Sequence, residues 1–157
     1  KEQEERDKVN YFKEFGWTRR TPRTRQDINN FLMDIGYTIL FNFIDSLLNL
    51  YGFDTYKGVY HKLFFQRKSL SCDLVEPFRC IIDRQIKKSF NLKQVNEKDF
   101  KIVDGRYELD YKNSQKYAEI FMNAIMDKKE DIYLFAQGFY RYFMDDKKYK
   151  FPEFKII

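Results

Sequence analysis

His61 is the single histidine of the chain, and Asp73 and Glu76 follow it by 12 and 15 residues in the run Asp73-Leu-Val-Glu76. An imidazole brought by a loop to a helix face that bears two carboxylates is a mixed nitrogen and oxygen donor set. Such a set suits a hard divalent ion, magnesium or manganese, with the imidazole tilting toward manganese. Glu4 stands seven residues before Tyr11. On a predicted helix over 1–15, its carboxylate projects along the stripe that turns inward, where a charge is costly without a partner. With Glu4 the set reaches three or four ligands and leaves positions for substrate and water. Each residue also has a plainer reading. A lone histidine packs or lies on the surface, Asp73 and Glu76 can be helix-start carboxylates favoured by the macrodipole, and charges near a terminus are usually solvated.

A second group of residues suits phosphate. Arg19, Arg20, Arg23 and Arg25 surround Pro22 in the stretch 18–26, and guanidinium groups offer bidentate donors to phosphate oxygens. A solvated linker is the alternative. Ser69 and Ser71 fall within possible reach of His61, but a serine nucleophile would also need an orienting acid and an oxyanion hole, and neither can be placed. No glycine-rich nucleotide cradle, GxSxG or CxxC pattern occurs.

The elements that must position these groups are mostly helical. The 157 residues suit one domain, and 43% hydrophobic with 19% aromatic residues exclude a disordered chain despite 34% charge. Mean hydropathy is −0.68 and the pI is near 9.0, so a polyanionic partner is allowed without being required. No window approaches 18 uninterrupted apolar residues, which argues against a membrane span. The first residues lack the apolar core of a signal peptide. Cys72 and Cys80 read as reduced packing cysteines of a cytoplasmic protein. With Gly 6 and Pro 3, there is little punctuation, and the fold class expected is mainly α, a compact helical domain with one small β-hairpin.

Asp27 can cap a long central helix to Tyr51 that stops at Gly52, with Phe31, Ile35, Ile39, Phe43 and Leu47 as its stripe and nearly all of it buried. Tyr37 reads as a buried core tyrosine or as a brace for DNA. A loop or short strand pair pivoting on Gly58 follows. Residues 70–90 resume helical spacing through Leu70, Leu74, Phe78, Ile81 or Ile82, and Phe90, with Asp73, Glu76 and Asp83 on one opposite face. Asp104-Gly105 predicts a hairpin over 100–109. Helices at about 111–127 and 130–145 turn Tyr117, Ile120, Phe121, Ile125, Ile132, Phe135 and Phe139 inward, and the tail KFPEFKII is irregular.

The runs Asp27-Ile-Asn29-Asn30-Phe-Leu, Gly36-Tyr37-Thr, Gly52-Phe-Asp54, Gly58-Val-Tyr-His61 and Ser71-Cys-Asp73-Leu-Val-Glu76-Pro77-Phe78-Arg79 resemble the CRISPR-associated integrase/endonuclease family of spacer acquisition. The likeness is strong over 27–84 and weak beyond 95. It implies a metal site made by a Glu on an early helix, the His ending GxxH and an acid of the following helix. Carried onto this sequence, these are Glu4, His61 and Glu76, with Asp73 as a secondary neighbour. Glu5 rivals Glu4, because it occupies the position where the family commonly has Gly. Thr55 stands where a Pro is often found. The implied cofactor is Mg2+ or Mn2+. The implied reaction is insertion of spacer DNA by 3′-hydroxyl attack on a phosphodiester, with water in its place giving endonuclease cleavage. Arg19, Arg20, Arg23, Arg25, Lys62 and Arg79 would hold backbone phosphates. Implied partners are double-stranded and branched DNA, a second copy in the full-length family, and a small ferredoxin-like adaptation protein; no membrane is implied. The family's N-terminal β-rich domain has no counterpart here. Residues 1–157 are therefore expected to be one helical catalytic domain, with 1–26 its N-terminal helix and basic loop. Such a domain, acting in the family as a dimer within a larger complex, can fold and still be inactive alone. The other function class left open is a non-catalytic helical module that binds nucleic acid or a partner.

Overall fold

The computed structural model describes residues 19–25, 27–62 and 64–155. The helix expected over 1–15, with Glu4 and Glu5, lies outside the described residues. Helix α1 spans Ile28–Leu50. Asp27 caps it from an extended conformation, its carboxylate accepting the Asn30 N–H at 2.8 Å. At the other end Gly52 takes φ +76°, and the Gly52 and Phe53 N–H groups satisfy the carbonyls of Asn49 and Leu48.

The long helix is central as expected, but its buried line is not the predicted stripe. Ile28, Leu32, Gly36, Leu40, Ile44 and Leu48 are buried, whereas of the predicted stripe Phe31 is buried and Ile35, Ile39, Phe43 and Leu47 are only half-buried. A helix apolar on most of its circumference does not define its own phase, and the neighbours that pack on it do. By length and composition α1 could cross a membrane, with a mean hydropathy of 1.4 over 18 residues. Here it carries buried Asn29, Asn30 and Asp45 and packs against the four other α-helices among the described residues.

The segment after it breaks into α2 (Ser69–Val75), a 3-10 turn (Glu76–Phe78) and α3 (Arg79–Asn91). Pro77 accounts for the break, since it has no N–H to donate and its ring crowds the carbonyl of Asp73. The expected hairpin forms as β1 (Phe100–Val103) against β2 (Arg106–Leu109), antiparallel with Val103 opposite Arg106. Asp104 and Gly105 at its tip have φ +50° and +72°, as a tight type I′ turn requires. Helices α4 (Tyr111–Met126) and α5 (Lys129–Met144) close the domain. Tyr117, Phe121, Ile125, Ile132, Phe135 and Phe139 are buried and Ile120 is half-buried. The irregular tail also packs, with Phe154 edge-on to Phe78 and Phe151 edge-on to Phe139. The architecture is mainly α with one hairpin.

One polar contact fixes the hairpin to α4. Asp99 accepts from the Lys116 ammonium at 2.7 Å and the Tyr117 hydroxyl at 2.8 Å. Burial alone would raise its carboxyl pKa, but Lys116 and Tyr117 outweigh that and hold it below the usual range. A depressed carboxylate adds stability above its unfolded pKa and loses it as pH falls through the folded one. Asp99→Asn is therefore expected to cost about 1 kcal/mol at neutral pH. The difference from the parent should shrink as pH falls below the usual carboxylate range, as measured by urea melts across pH.

Candidate active site

The loop 52–68 between α1 and α2 carries His61 and contains no strand among its described residues. Two carboxylates, one from each flanking helix, hold it. Asp45 of α1 is buried and accepts from Ser71 Oγ and Lys68 Nζ, both at 2.7 Å. Its pKa is pushed up by burial and pulled down further by Lys68 and Ser71, so it stays ionised. The loop is joined to α2 again where the Leu70 N–H meets the Thr55 carbonyl at 2.9 Å.

Asp73 of α2 organises the rest. Its Oδ2 accepts the Val59 and Tyr60 N–H groups at 2.7 and 2.9 Å, and its Oδ1 accepts the His61 N–H at 3.0 Å. Oδ1 also meets His61 Nδ1. Burial raises the Asp73 pKa, but the Tyr60 N–H, the His61 ring and the other amides lower it by more, and it lies below its ordinary value. With Nδ1 committed to a carboxylate, the ring's second nitrogen, Nε2, is the one left for a ligand. Gly58 permits this wrap. A Cβ there would stand 2.6 Å from the His61 carbonyl oxygen and 2.9 Å from Asp73 Oδ2.

Glu76 lies one turn beyond Asp73, exposed, with both oxygens on Arg79 Nη1 at 3.1 and 3.2 Å. The Arg79 guanidinium lies 4.4 Å from the Tyr37 ring centre. Tyr37 is half-buried, and its hydroxyl donates to Asp83. Burial and then Asp83 push its pKa up to about 12. The three acids expected on one face thus have separate partners: Asp73 with His61, Glu76 with Arg79, and Asp83 with Tyr37. The 3-10 turn at Pro77 lies between the first and last of them and changes their register.

Among the described residues, no three His, Cys, Asp or Glu side chains meet as a metal-holding group. Glu4 lies outside those residues. Ser69 and Ser71 are buried, with Ser71 spent on Asp45. Cys72 and Cys80 are free thiols.

The arginines take varied positions. Arg20 bonds Asp34 at 2.6 Å and Asn30 Oδ1 at 3.0 Å. Arg25 lies over the Phe31 ring, and its carbonyl accepts the Tyr107 N–H from the hairpin. Arg19 and Arg23 are exposed, as is Lys62. Arg20, Arg23 and Arg25 line a groove of about 990 Å³ together with Phe64, Phe65 and Arg67. Nothing in the sequence motifs singles out Asp45, Phe64 or Phe65. The signal for Asp45 is that it is one of two acids, with Asp34, on a mainly apolar helix.

Residues 7–123 match the profile of the family described as CRISPR associated protein Cas1. A CRISPR-associated endonuclease Cas1 of Thermodesulfovibrio yellowstonii is 29% identical over 133 residues, which are 83% of this chain and 42% of that protein. The fold is similar to that of a casposase bound to its integration product, with a TM-score of 0.78 and 23% identity, over 89% of this chain and 44% of the other. A Cas6-RT-Cas1–Cas2 complex gives a TM-score of 0.80 at 25% identity, over 90% of this chain and 17% of the matched one. The chain spans less than half the length of that Thermodesulfovibrio relative.

Proposed function

The chain belongs to the Cas1 family of CRISPR-associated proteins, and from that premise we propose that it acts on DNA phosphodiesters at His61, joining strands with a DNA 3′-hydroxyl or cutting them with water. One observation carries the reading: a buried carboxylate, itself held by backbone amides, fixes the imidazole so that Nε2 remains for a ligand. Protein ligands of catalytic metals are commonly oriented in this way. The donor set fits a hard divalent ion, with His61 and Glu76 from the described residues and Glu4 as the third ligand. When bound, Mg2+ or Mn2+ would polarise the scissile phosphate and screen the charge that develops on it. Asp73 keeps the imidazole tautomer and aim. Arg19, Arg23, Arg25 and Lys62 bind backbone phosphates without reading sequence, and Arg20 stiffens their loop through Asp34.

The partners proposed are double-stranded and branched DNA, a second copy of the full-length protein, and a small Cas2-like protein. The Cas1–Cas2 neighbour supports the last of these.

The test is melting with and without Mn2+. A cation at 100 times its Kd adds about 2.7 kcal/mol, or roughly 5–10 °C in a chain of this size. His61→Ala is expected to abolish that rise and to lower Mn2+-dependent cleavage or joining of branched DNA by more than about 100-fold. A variant that matches the parent in both assays refutes the assignment. A second reading, a non-catalytic helical module for nucleic acid or a partner, is favoured by the protein partners that Asp73, Glu76 and Asp83 already have. DNA binding with no Mn2+ shift in the parent would select it.

A further inference from the structure

Four side chains, ending at Glu76, form one chain of contacts. Asp83 takes the Tyr37 hydroxyl, Tyr37 carries the Arg79 guanidinium on its ring, and Arg79 holds Glu76. Arg20, from the basic loop, lies over the same ring at 5.5 Å. We propose that Arg79 is a latch that couples occupancy of the cation site to DNA affinity. Without a cation the guanidinium neutralises Glu76. When Glu76 turns to a cation, Arg79 is released to a backbone phosphate of the DNA. The cation half of this inference rests on the reading of Glu76 as a ligand, whereas the competition of Glu76 with phosphate for Arg79 rests on the observed ion pair alone.

The geometry suits a contact that opens. The Arg79 and Glu76 side chains are 36% and 55% exposed, and ion pairs so open to water hold weakly. A divalent ion offers Glu76 twice the charge of a guanidinium. The stack on Tyr37 does not depend on Glu76, so the freed guanidinium stays oriented, with planar donors that match phosphate oxygens. Arg79 thus acts as a positioning residue with two alternative anionic partners. Because linkage is reciprocal, DNA must tighten cation binding by the factor with which the cation tightens DNA binding.

The experiment follows a fluorescent forked duplex by anisotropy and Mn2+ by electron paramagnetic resonance. It compares the parent chain with Arg79→Gln, Arg79→Lys, Glu76→Gln and the Glu76→Gln/Arg79→Gln pair. In the parent, Mn2+ should tighten DNA binding about tenfold, within the usual range of coupling between sites. Arg79→Gln should remove that gain and still bind Mn2+ at least as tightly as the parent. Arg79→Lys, which keeps the charge without the planar fork, should restore part of it. Without metal, Glu76→Gln should tighten DNA binding several-fold more with Arg79 present than with Gln at that position.

The latch is overturned if Arg79→Gln keeps the Mn2+ gain, if it loses Mn2+ binding together with the gain, or if the Glu76→Gln effect is equal in both backgrounds. A parent chain that binds no Mn2+ refutes the metal reading. The metal-free comparison then decides whether Glu76 and phosphate compete for Arg79.

Discussion

Asp73→Asn is expected to weaken Mn2+ binding and to slow cleavage of branched DNA by about 100-fold, the upper end of what loss of a carboxylate behind a histidine ligand costs. The two oxygens of Asp73 accept three backbone N–H groups and the His61 ring. An asparagine has one acceptor and one NH2. Either orientation of the amide sets a donor against a donor, facing Val59 and Tyr60 in one case and His61 in the other. Each amide left without an acceptor costs about 1–3 kcal/mol where water is excluded, and the Asp73 side chain is 4% exposed. The loop should therefore detach locally while the core of α1, α3 and α4 remains folded. Hydrogen exchange should accelerate at Val59, Tyr60 and His61, and melting should fall by only a few degrees. Cleavage within about threefold of the parent would show that the imidazole does not depend on Asp73 for its aim.

The local rules visible in the sequence predicted most of the elements. Asp27 as a cap, Gly52 as a stop and Asp104-Gly105 as a turn depend on contacts within a few residues, and each formed. The phase of α1 did not follow from the sequence, because apolar residues surround it and the choice between the Ile35 and Leu40 sides belongs to the helices packed there. Pro77 was the available signal for the break between α2 and α3, and reading 70–90 as one helical run passed over it. The site divides in the same way. The spacing of Gly58, His61 and Asp73 indicated a loop meeting a helix, and the structure joins those residues. Arg79 stands three residues after Glu76, a spacing at which helical side chains meet, whereas the partner of Asp83 is Tyr37 of α1, 46 residues away, so periodicity could not supply it. Arg20 shows the same limit. Within 18–26 it looks equivalent to its neighbours, yet Asp34, one turn after Asn30 on α1, ties it down.

Gly36→Ala should lower the melting temperature by roughly 5–10 °C. A Cβ at this position would fall inside the van der Waals surface of Ile82 Cγ2 and stand 3.2 and 3.3 Å from two carbons of Phe121. Ile82 is fully buried and Phe121 nearly so, so neither side chain can give way by turning out into solvent. Alanine regains about 1 kcal/mol of helix propensity over glycine. Overpacking costs up to about 3 kcal/mol, more where relief needs helices to move apart, so the net change is a loss. The displacement also reaches the site, since α1 carries Tyr37 and α3 carries Arg79 and Asp83. DNA binding coupled to Mn2+ should weaken along with stability. A double-mutant cycle identifies the cause. In an Ile82→Ala background the 2.4 Å contact is gone and only the milder Phe121 contacts remain, so Gly36→Ala should there cost much less than in the parent. If it costs as much in that background, helix separation at Ile82 is not the mechanism.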